Sequence, residues 1–207
     1  MKRSFKHWTL DYLWNRSKDK LHQRLHPDEP WLTPAVVHIL DRHLTQDMVG
    51  LEFGSGRSTV WFARRLGKLT SVEHSPRWFE KVVSLLKKAG AHNVDILFRN
   101  DSQDNDYVCA TDQIENSSLD FVLVDGIDRG KCAVTSLKKL KPGGILVIDD
   151  VHRYLPSESR APLARTLKDG PVDEDWQEFL NKTMDWEYIW TSNGVKDTVI
   201  YHKPVED

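Results

Sequence analysis

Two patterns of apolar and polar residues alternate along most of the chain. Short apolar runs, typical of buried strands, are separated by stretches in which apolar residues recur every three or four positions, as on one face of a helix. Strands that alternate with helices predict an α/β fold built on a parallel sheet. The apolar runs lie at residues 49–53, 68–73, 94–98, 119–124 and 145–150.

The end of the chain carries a different pattern. Residues 186–191 and 198–202 read as two strands, and they flank a turn that contains Asn193-Gly194. Asn-Gly between two apolar runs is typical of a β-hairpin, although this connection is longer than two residues. The sequence therefore predicts that the chain ends in a hairpin.

The beginning of the chain is expected to be a helical extension, residues 1–45, packed on a core domain of residues 46–207. Thr33 and Pro34 suit the cap and the first position of its second helix. Residues 1–26 carry seven lysines and arginines against two aspartates. We interpret this segment as a lid or packing helix with a solvated basic face, which could help close a substrate site. A nucleic-acid or membrane-surface arm is the alternative.

Composition narrows the class of protein. The chain has 207 residues, 39% of them hydrophobic, and a formal net charge of −2, which predicts one globular domain and gives no argument for nucleic acid. No apolar run approaches the length of a membrane span, and the N-terminus lacks the apolar core of a signal peptide. Two cysteines far apart suit a reducing, cytoplasmic location.

The first apolar run leads into a glycine loop. Gly54 and Gly56 follow the run and precede a helical pattern, and strand, Gly-x-Gly turn and helix together open a nucleotide-binding α/β unit. Glycine lets the backbone turn tightly and lets a ligand approach it. Glu52 ends the strand before the loop, and Glu73 ends the next strand, where an acidic residue can accept hydrogen bonds from a ribose.

The series Glu52-x-Gly54-x-Gly56-x-Ser58, with Glu73 after the next strand, resembles the first two motifs of class I S-adenosylmethionine-dependent methyltransferases. The family usually has glycine where Ser58 stands, which is a mild departure. A dinucleotide-binding oxidoreductase is the alternative, but Thr59 occupies the position of its third glycine.

Two later motifs extend the resemblance. The buried run 119–124 ends in Asp125-Gly126, which matches the fourth motif of the family, and a Pro-Gly-Gly turn at 142–144 precedes the next strand. The resemblance implies a Rossmann-like doubly wound sheet, mostly parallel with an antiparallel last strand.

The resemblance also implies S-adenosylmethionine as the cofactor and assigns residues to it. Glu52 is expected near its amino-acid end and Glu73 at its ribose, while Asp101 and Ser102 are expected at the adenine. The other expected cofactor-binding residues are Gly54, Ser55, Gly56, Ser58, His74, Asp125 and Gly126.

Three carboxylates are expected on the acceptor side, because Asp125, Asp149 and Asp150 follow two neighbouring strands. Converging carboxylates repel unless a cation or a proton lies among them. The arrangement resembles metal-dependent O-methyltransferases, which implies Mg²⁺ held by these three residues. The alternative is that one aspartate caps a helix and another faces water. His152 is a candidate general base beside the catalytic candidates Asp125 and Asp150.

These observations favour O-methylation of a small-molecule hydroxyl, such as that of a sugar or a glycan-related acceptor. The alternatives are an RNA or protein methyltransferase, an NAD-dependent oxidoreductase on a similar fold, and a non-catalytic cofactor-binding domain. The expected partner is a small-molecule substrate rather than nucleic acid, and homo-oligomerisation is left open.

Overall fold

The structure, a computed structural model, describes residues 9–100 and 106–205. Within these residues, seven strands form one sheet in the order β3-β2-β1-β4-β5-β7-β6. Strand β7 runs antiparallel to both of its neighbours, and the remaining pairs are parallel. The predicted sheet is therefore confirmed. The strands are β1 (Val49–Phe53), β2 (Lys68–Glu73), β3 (Val94–Phe98), β4 (Leu119–Val124), β5 (Leu140–Asp149), β6 (Glu187–Ser192) and β7 (Asp197–His202).

Helices cover both faces of the sheet, as in a doubly wound fold. None of the helices in the described ranges combines the length and the apolarity needed to cross a membrane. The helices are α1 (Leu10–Leu25), α2 (Pro34–His43), α3 (Arg57–Ala63), α4 (Pro76–Ala89), α5 (Asp106–Cys109), α6 (Arg129–Leu137) and α7 (Glu174–Lys182), with 3₁₀ turns at Ala110–Gln113 and Val151–Arg153.

The central strands are buried on both faces, as their continuous apolar sequences predict. Val122 of β4 packs with Trp176 and other side chains on one face of the sheet. Its neighbour Leu123 packs with Leu40 and Phe62 on the other face. Because successive side chains of a strand point to opposite faces, a strand between two helical layers needs apolar residues at every position.

The start of β5 differs from the sequence-based expectation. Residues 141–144 were expected to form a turn, but β5 already begins at Leu140, which pairs with Leu119. The register then shifts before Phe121 pairs with Ile145. The backbone of this irregular stretch stays paired, because Gly143 N donates to Lys203 O at 3.0 Å. The Pro-Gly-Gly stretch is thus an irregularity inside a strand.

Helix α1 packs on the turn between β6 and β7. Asn193 Nδ2 in that turn donates to Asp19 Oδ1 at 3.0 Å, and the Asp19 side chain is buried. A Cβ on Gly194, which has φ +76°, would collide with the side chain of Asn15. The glycine therefore lets the turn approach α1 closely. The contact joins the N-terminal helix to the last hairpin, while the division of the chain at residue 45 stays a prediction.

Candidate functional site

The carboxyl ends of the parallel strands bring four acidic residues to one edge of the sheet. Glu52 lies in β1 and Glu73 ends β2, whereas Asp125 follows β4 and Asp149 ends β5. This is the edge at which open α/β sheets bind ligands. The pairing of β1 with both β2 and β4 places the glycine loop between these two pairs of acids.

The glycine loop closes tightly over the end of β1. Gly54 has φ +95°, and a Cβ there would lie 2.7 Å from the backbone nitrogen of Gly126. The close approach of the ends of β1 and β4 therefore requires a residue without a side chain. Loop amides are bound within the protein: Ser55 N donates to Glu73 Oε2 at 3.0 Å, and Gly56 N donates to Thr59 Oγ1 at 2.9 Å. The loop is therefore held by its own contacts.

Glu52 lies fully buried beneath the loop. Its carboxylate accepts hydrogen bonds from the hydroxyls of Ser58, Thr59 and Ser71, the last two at 2.6 Å. Burial raises the pKa of Glu52 to about 7, although the three hydroxyls act in the opposite direction. The side chain ties α3 to β1 and β2, and contact with a ligand's amino-acid end stays a prediction.

Glu73 presents its carboxylate to the loop. Oε2 accepts from the Ser55 hydroxyl at 2.7 Å, and Oε1 accepts from Ser75 N at 2.7 Å. His74 Nδ1 lies 3.3 Å from Oε1. The carboxylate thus already accepts a hydroxyl from a neighbouring residue, which is the type of bond that a ribose would offer.

Tyr107 of α5 is a site residue that sequence reasoning missed. Its ring is buried 5.5 Å from that of Phe53, and its hydroxyl lies against Gly126 and donates to Val72 O at 3.4 Å. It belongs to a polar stretch in which no helical pattern predicts a four-residue helix. The predicted adenine contacts Asp101 and Ser102 lie outside the described residues.

Asp125 meets a cation from the next helix. Arg129 Nη2 donates to Asp125 Oδ1 at 2.9 Å and to the carbonyl oxygen of the same residue at 2.7 Å. Arg129 also donates to Gly126 O at 2.9 Å and to Asp149 O at 2.6 Å. Burial raises the pKa of Asp125, while Arg129 and Lys196 act to lower it. Sequence reasoning missed Arg129, although it lies four residues after Asp125.

The two aspartates after β5 have separate partners. Asp149 is buried, and its Oδ1 accepts from Thr198 Oγ1 at 2.6 Å. Burial and the nearby Asp125 raise the pKa of Asp149. Asp150 follows with φ +53°, a left-handed conformation that is costly for a non-glycine residue, and its carboxylate lies 3.5 Å from Arg153.

His152 is buried, and both of its ring nitrogens contact the backbone. Nδ1 accepts from Asp197 N at 3.2 Å, and Nε2 lies 3.2 Å from Pro162 O. The first contact makes Nε2 the protonated nitrogen of a neutral ring. Burial lowers the pKa of His152. A proton acceptor needs a free nitrogen, so this geometry does not support the predicted general base.

The described residues do not bring the predicted metal ligands together. No group of three or more His, Cys, Asp or Glu side chains in residues 9–100 and 106–205 is arranged to hold a metal ion. Arg129, Thr198 and Arg153 instead contact the three aspartates one by one. The donor set therefore does not fit the expected Mg²⁺.

A cavity of about 970 Å³ lies between α1 and residues 158–164. The residues that line it include Asp11, Tyr12, Arg160 and Ser192. Ser192 ends β6, which runs parallel to β5, so this part of the cavity wall lies at the same edge of the sheet as the four acidic residues.

Comparisons with known proteins agree with this geometry. Residues 51–151 match the model of a family described as a methyltransferase domain. No curated protein matches the sequence. The O-methyltransferase TomG from Streptomyces achromogenes, solved in complex with SAM, has a similar structure, with a TM-score of 0.59 and 20% identity over 98% of this chain and 100% of TomG.

Two further solved structures share the fold. An O-methyltransferase from Bacillus cereus in complex with SAH has a TM-score of 0.59 and 16% identity over 94% of this chain and 91% of its own. An rRNA methylase from Streptococcus thermophilus has a TM-score of 0.54 and 12% identity over 81% of this chain and 93% of its own. At these identities the structural likeness shows the fold.

The family match and the fold define the class of protein. Residues 51–151 match a methyltransferase domain, and the sheet has the Rossmann-like strand order of class I S-adenosylmethionine-dependent methyltransferases.

Proposed function

We propose that this enzyme transfers the methyl group of S-adenosylmethionine to a hydroxyl group of a small molecule. The observation that carries the proposal is the cavity beneath α1, whose wall reaches Ser192 at the carboxyl edge of the sheet and presents Asp11, Tyr12 and Arg160 to a hydroxyl-rich acceptor such as a sugar. The names of two structurally similar proteins, both O-methyltransferases, support the choice of acceptor atom.

The cofactor is proposed to bind along the glycine loop and the end of β2. Glu73 would accept its ribose hydroxyls in place of the Ser55 hydroxyl, which fits the bonds that this carboxylate already makes. Glu52 would hold the loop in position from below, through Ser58 and Thr59. When bound, the cofactor supplies an electrophilic methyl group on a positively charged sulfur.

On the acceptor side, Asp125 is proposed to take the proton of the hydroxyl. The acceptor oxygen forms a bond to the methyl carbon as the carbon–sulfur bond breaks, and the hydroxyl proton passes to the carboxylate. Asp125 is suited to this because Arg129 holds one of its oxygens, while the side chain keeps 32% of its surface exposed. Asp150 is proposed to orient the acceptor. No divalent ion enters the proposal.

Thermal unfolding with S-adenosylhomocysteine or NADH tests the cofactor. At about 100 times its dissociation constant, a ligand adds roughly 2.7 kcal/mol of stability. For a chain of this length, the midpoint should therefore rise by about 5–10 °C with S-adenosylhomocysteine. Glu73→Ala should abolish most of this rise, and the exposed Glu80→Ala should keep it. A rise with NADH alone would contradict the proposal.

Transfer of a labelled methyl group tests the acceptor. The label is offered to hydroxyl-rich small molecules and, in parallel, to RNA. We expect label in a small molecule, and we expect Arg160→Ala in the cavity wall to raise the acceptor KM without changing the S-adenosylhomocysteine midpoint shift. Label in RNA alone would show that the acceptor class is wrong while leaving the cofactor intact.

A further inference from the structure

The guanidinium of Arg129 occupies the space between the ends of β4 and β5. Nε donates to Gly126 O, Nη1 to Asp149 O, and Nη2 to both the carbonyl and the carboxylate oxygen of Asp125, at 2.6–2.9 Å. Each of its three nitrogens is therefore bound to the protein. The side chain is only 12% exposed, so these bonds form in a site with little water.

These acceptors are the kind that a divalent ion would use. Mg²⁺ binds carboxylate and carbonyl oxygens in a nearly octahedral shell and needs them free of other partners. Arginine offers a planar fork of donors that matches such oxygens and keeps its charge at all ordinary pH values. Burial acts to lower the pKa of Arg129, but Asp125, Tyr154, Asp149 and Asp150 together outweigh it and the pKa is raised.

A second cation acts on the same carboxylates. Lys196, in the β6–β7 turn, acts to lower the pKa of both Asp125 and Asp149, against the effect of their burial. The turn backbone at Lys196 is held because Asn193 Oδ1 accepts from Lys196 N at 3.0 Å. The negative charge at this edge is therefore opposed by cations of the chain itself.

We propose that Arg129 takes the place of a divalent ion at this edge, so that the methyl transfer proceeds without a metal. Arg129 is a positioning residue: it orients Asp125 and holds the ends of β4 and β5 together. The inference rests on the proposed function for its chemical meaning, because it describes the site at which the acceptor hydroxyl would lose its proton.

Manganese binding tests the inference without the need for an acceptor. Full-length protein is treated with EDTA, dialysed, and titrated with Mn²⁺ while the electron paramagnetic resonance signal of the free ion is recorded. The wild-type protein should leave that signal unchanged up to millimolar concentrations. Arg129→Gln removes the charge but keeps a polar side chain, and it should bind Mn²⁺ at least tenfold more tightly than wild type.

Two further variants serve as controls. Arg129→Lys keeps the positive charge and should exclude Mn²⁺ as the wild type does. The side chain of Arg153, which lies beside Asp150, is 45% exposed. Its removal in Arg153→Ala should therefore give no gain in Mn²⁺ binding. If Arg153→Ala gains as much as Arg129→Gln, the effect is one of net charge and the inference is wrong.

Several results would overturn the inference. They are micromolar Mn²⁺ binding by the wild-type protein, a folded Arg129→Gln that gains nothing, and equal binding by Arg129→Gln and Arg129→Lys. If Arg129→Gln does not fold, the test rests on the wild type and Arg129→Lys. Binding of Mn²⁺ by either of these two proteins contradicts the proposal. Failure of the proposed function is recognised separately, as no midpoint shift with S-adenosylhomocysteine in the same preparation.

Discussion

The two halves of the carboxyl edge hold their carboxylates by different means. In the glycine-loop half, Glu52 and Glu73 accept neutral hydroxyl and amide donors. In the acceptor half, the Asp125 carboxylate pairs with the guanidinium of Arg129, while the Asp149 carboxylate accepts from the Thr198 hydroxyl and its carbonyl oxygen from Arg129. Neutral donors around Glu52 and Glu73 create a rigid support, whereas Arg129 favours the charged form of Asp125, which is suited to accept a proton.

Removal of the Glu52 carboxylate should destabilise the protein more than any of the other substitutions at this edge. Glu52→Ala leaves the hydroxyls of Ser58, Thr59 and Ser71 without their buried acceptor. At about 1 kcal/mol for each, the free energy of unfolding should fall by about 3 kcal/mol, which lowers the midpoint by about 6–12 °C. Urea unfolding measures the change, with the exposed Glu80→Ala as control.

A matched substitution in the acceptor half sharpens the comparison. Asp125→Ala should reduce the free energy of unfolding by less than Glu52→Ala does, because Arg129 keeps its bonds to three carbonyl oxygens. A larger loss for Asp125→Ala would mean that the ion pair, and not the hydroxyl network, is the stronger support of this edge.

The glycine-loop half was largely predictable because its residues are close in the sequence. Glu52, Gly54 and Glu73 fall within one strand–loop–helix–strand unit, whose local pattern defines the register. The bonds of Glu52 were not predictable, since Thr59 and Ser71 resemble ordinary helix and strand residues. Their hydroxyls meet one carboxylate only after β1, α3 and β2 have packed.

The acceptor half was less predictable because its contacts join distant parts of the chain. The apolar runs predict the two strands that lead to Asp125 and Asp149. They do not predict which cation lies between the ends of these strands. Arg129 lies near Asp125 in sequence, whereas its bond to Asp149 O spans 20 positions. Lys196, in the last hairpin, also acts to lower the pKa of both aspartates. A sequence shows that carboxylates converge before it shows what neutralises them.

The contact between α1 and the last hairpin should give an intermediate effect. Asp19→Ala removes the acceptor of Asn193 Nδ2 at 3.0 Å, and a hydrogen bond to a charged group contributes about 1.5 kcal/mol. Hydrogen exchange should show faster exchange in α1 and unchanged protection in β4 and β5, because the loss is local. Lys20→Ala, an exposed change on the same helix, is the control. Equal exchange in both variants would show that the contact does not hold α1.

The pH dependence of stability should give the smallest effect. Burial raises the pKa of Glu52 from 4.5 to about 7. A carboxyl with a raised pKa binds its proton more tightly in the folded chain, so its stabilisation is complete below the unfolded value and is lost as the pH rises through about 7. Burial lowers the pKa of His43 and His152, and their opposing effect falls mainly below about pH 6.5.

Urea unfolding between about pH 6.5 and about pH 8 therefore isolates the carboxyl groups. The Glu52 contribution should fall by about 0.8 kcal/mol across this range, and Glu52→Gln should remove that part of the slope. Asp149→Asn should likewise make the free energy of unfolding less dependent on pH, because burial also raises the pKa of Asp149. An unchanged slope in Glu52→Gln would mean that this carboxylate stays ionised beneath the loop, in which case both halves of the edge carry their negative charge at neutral pH.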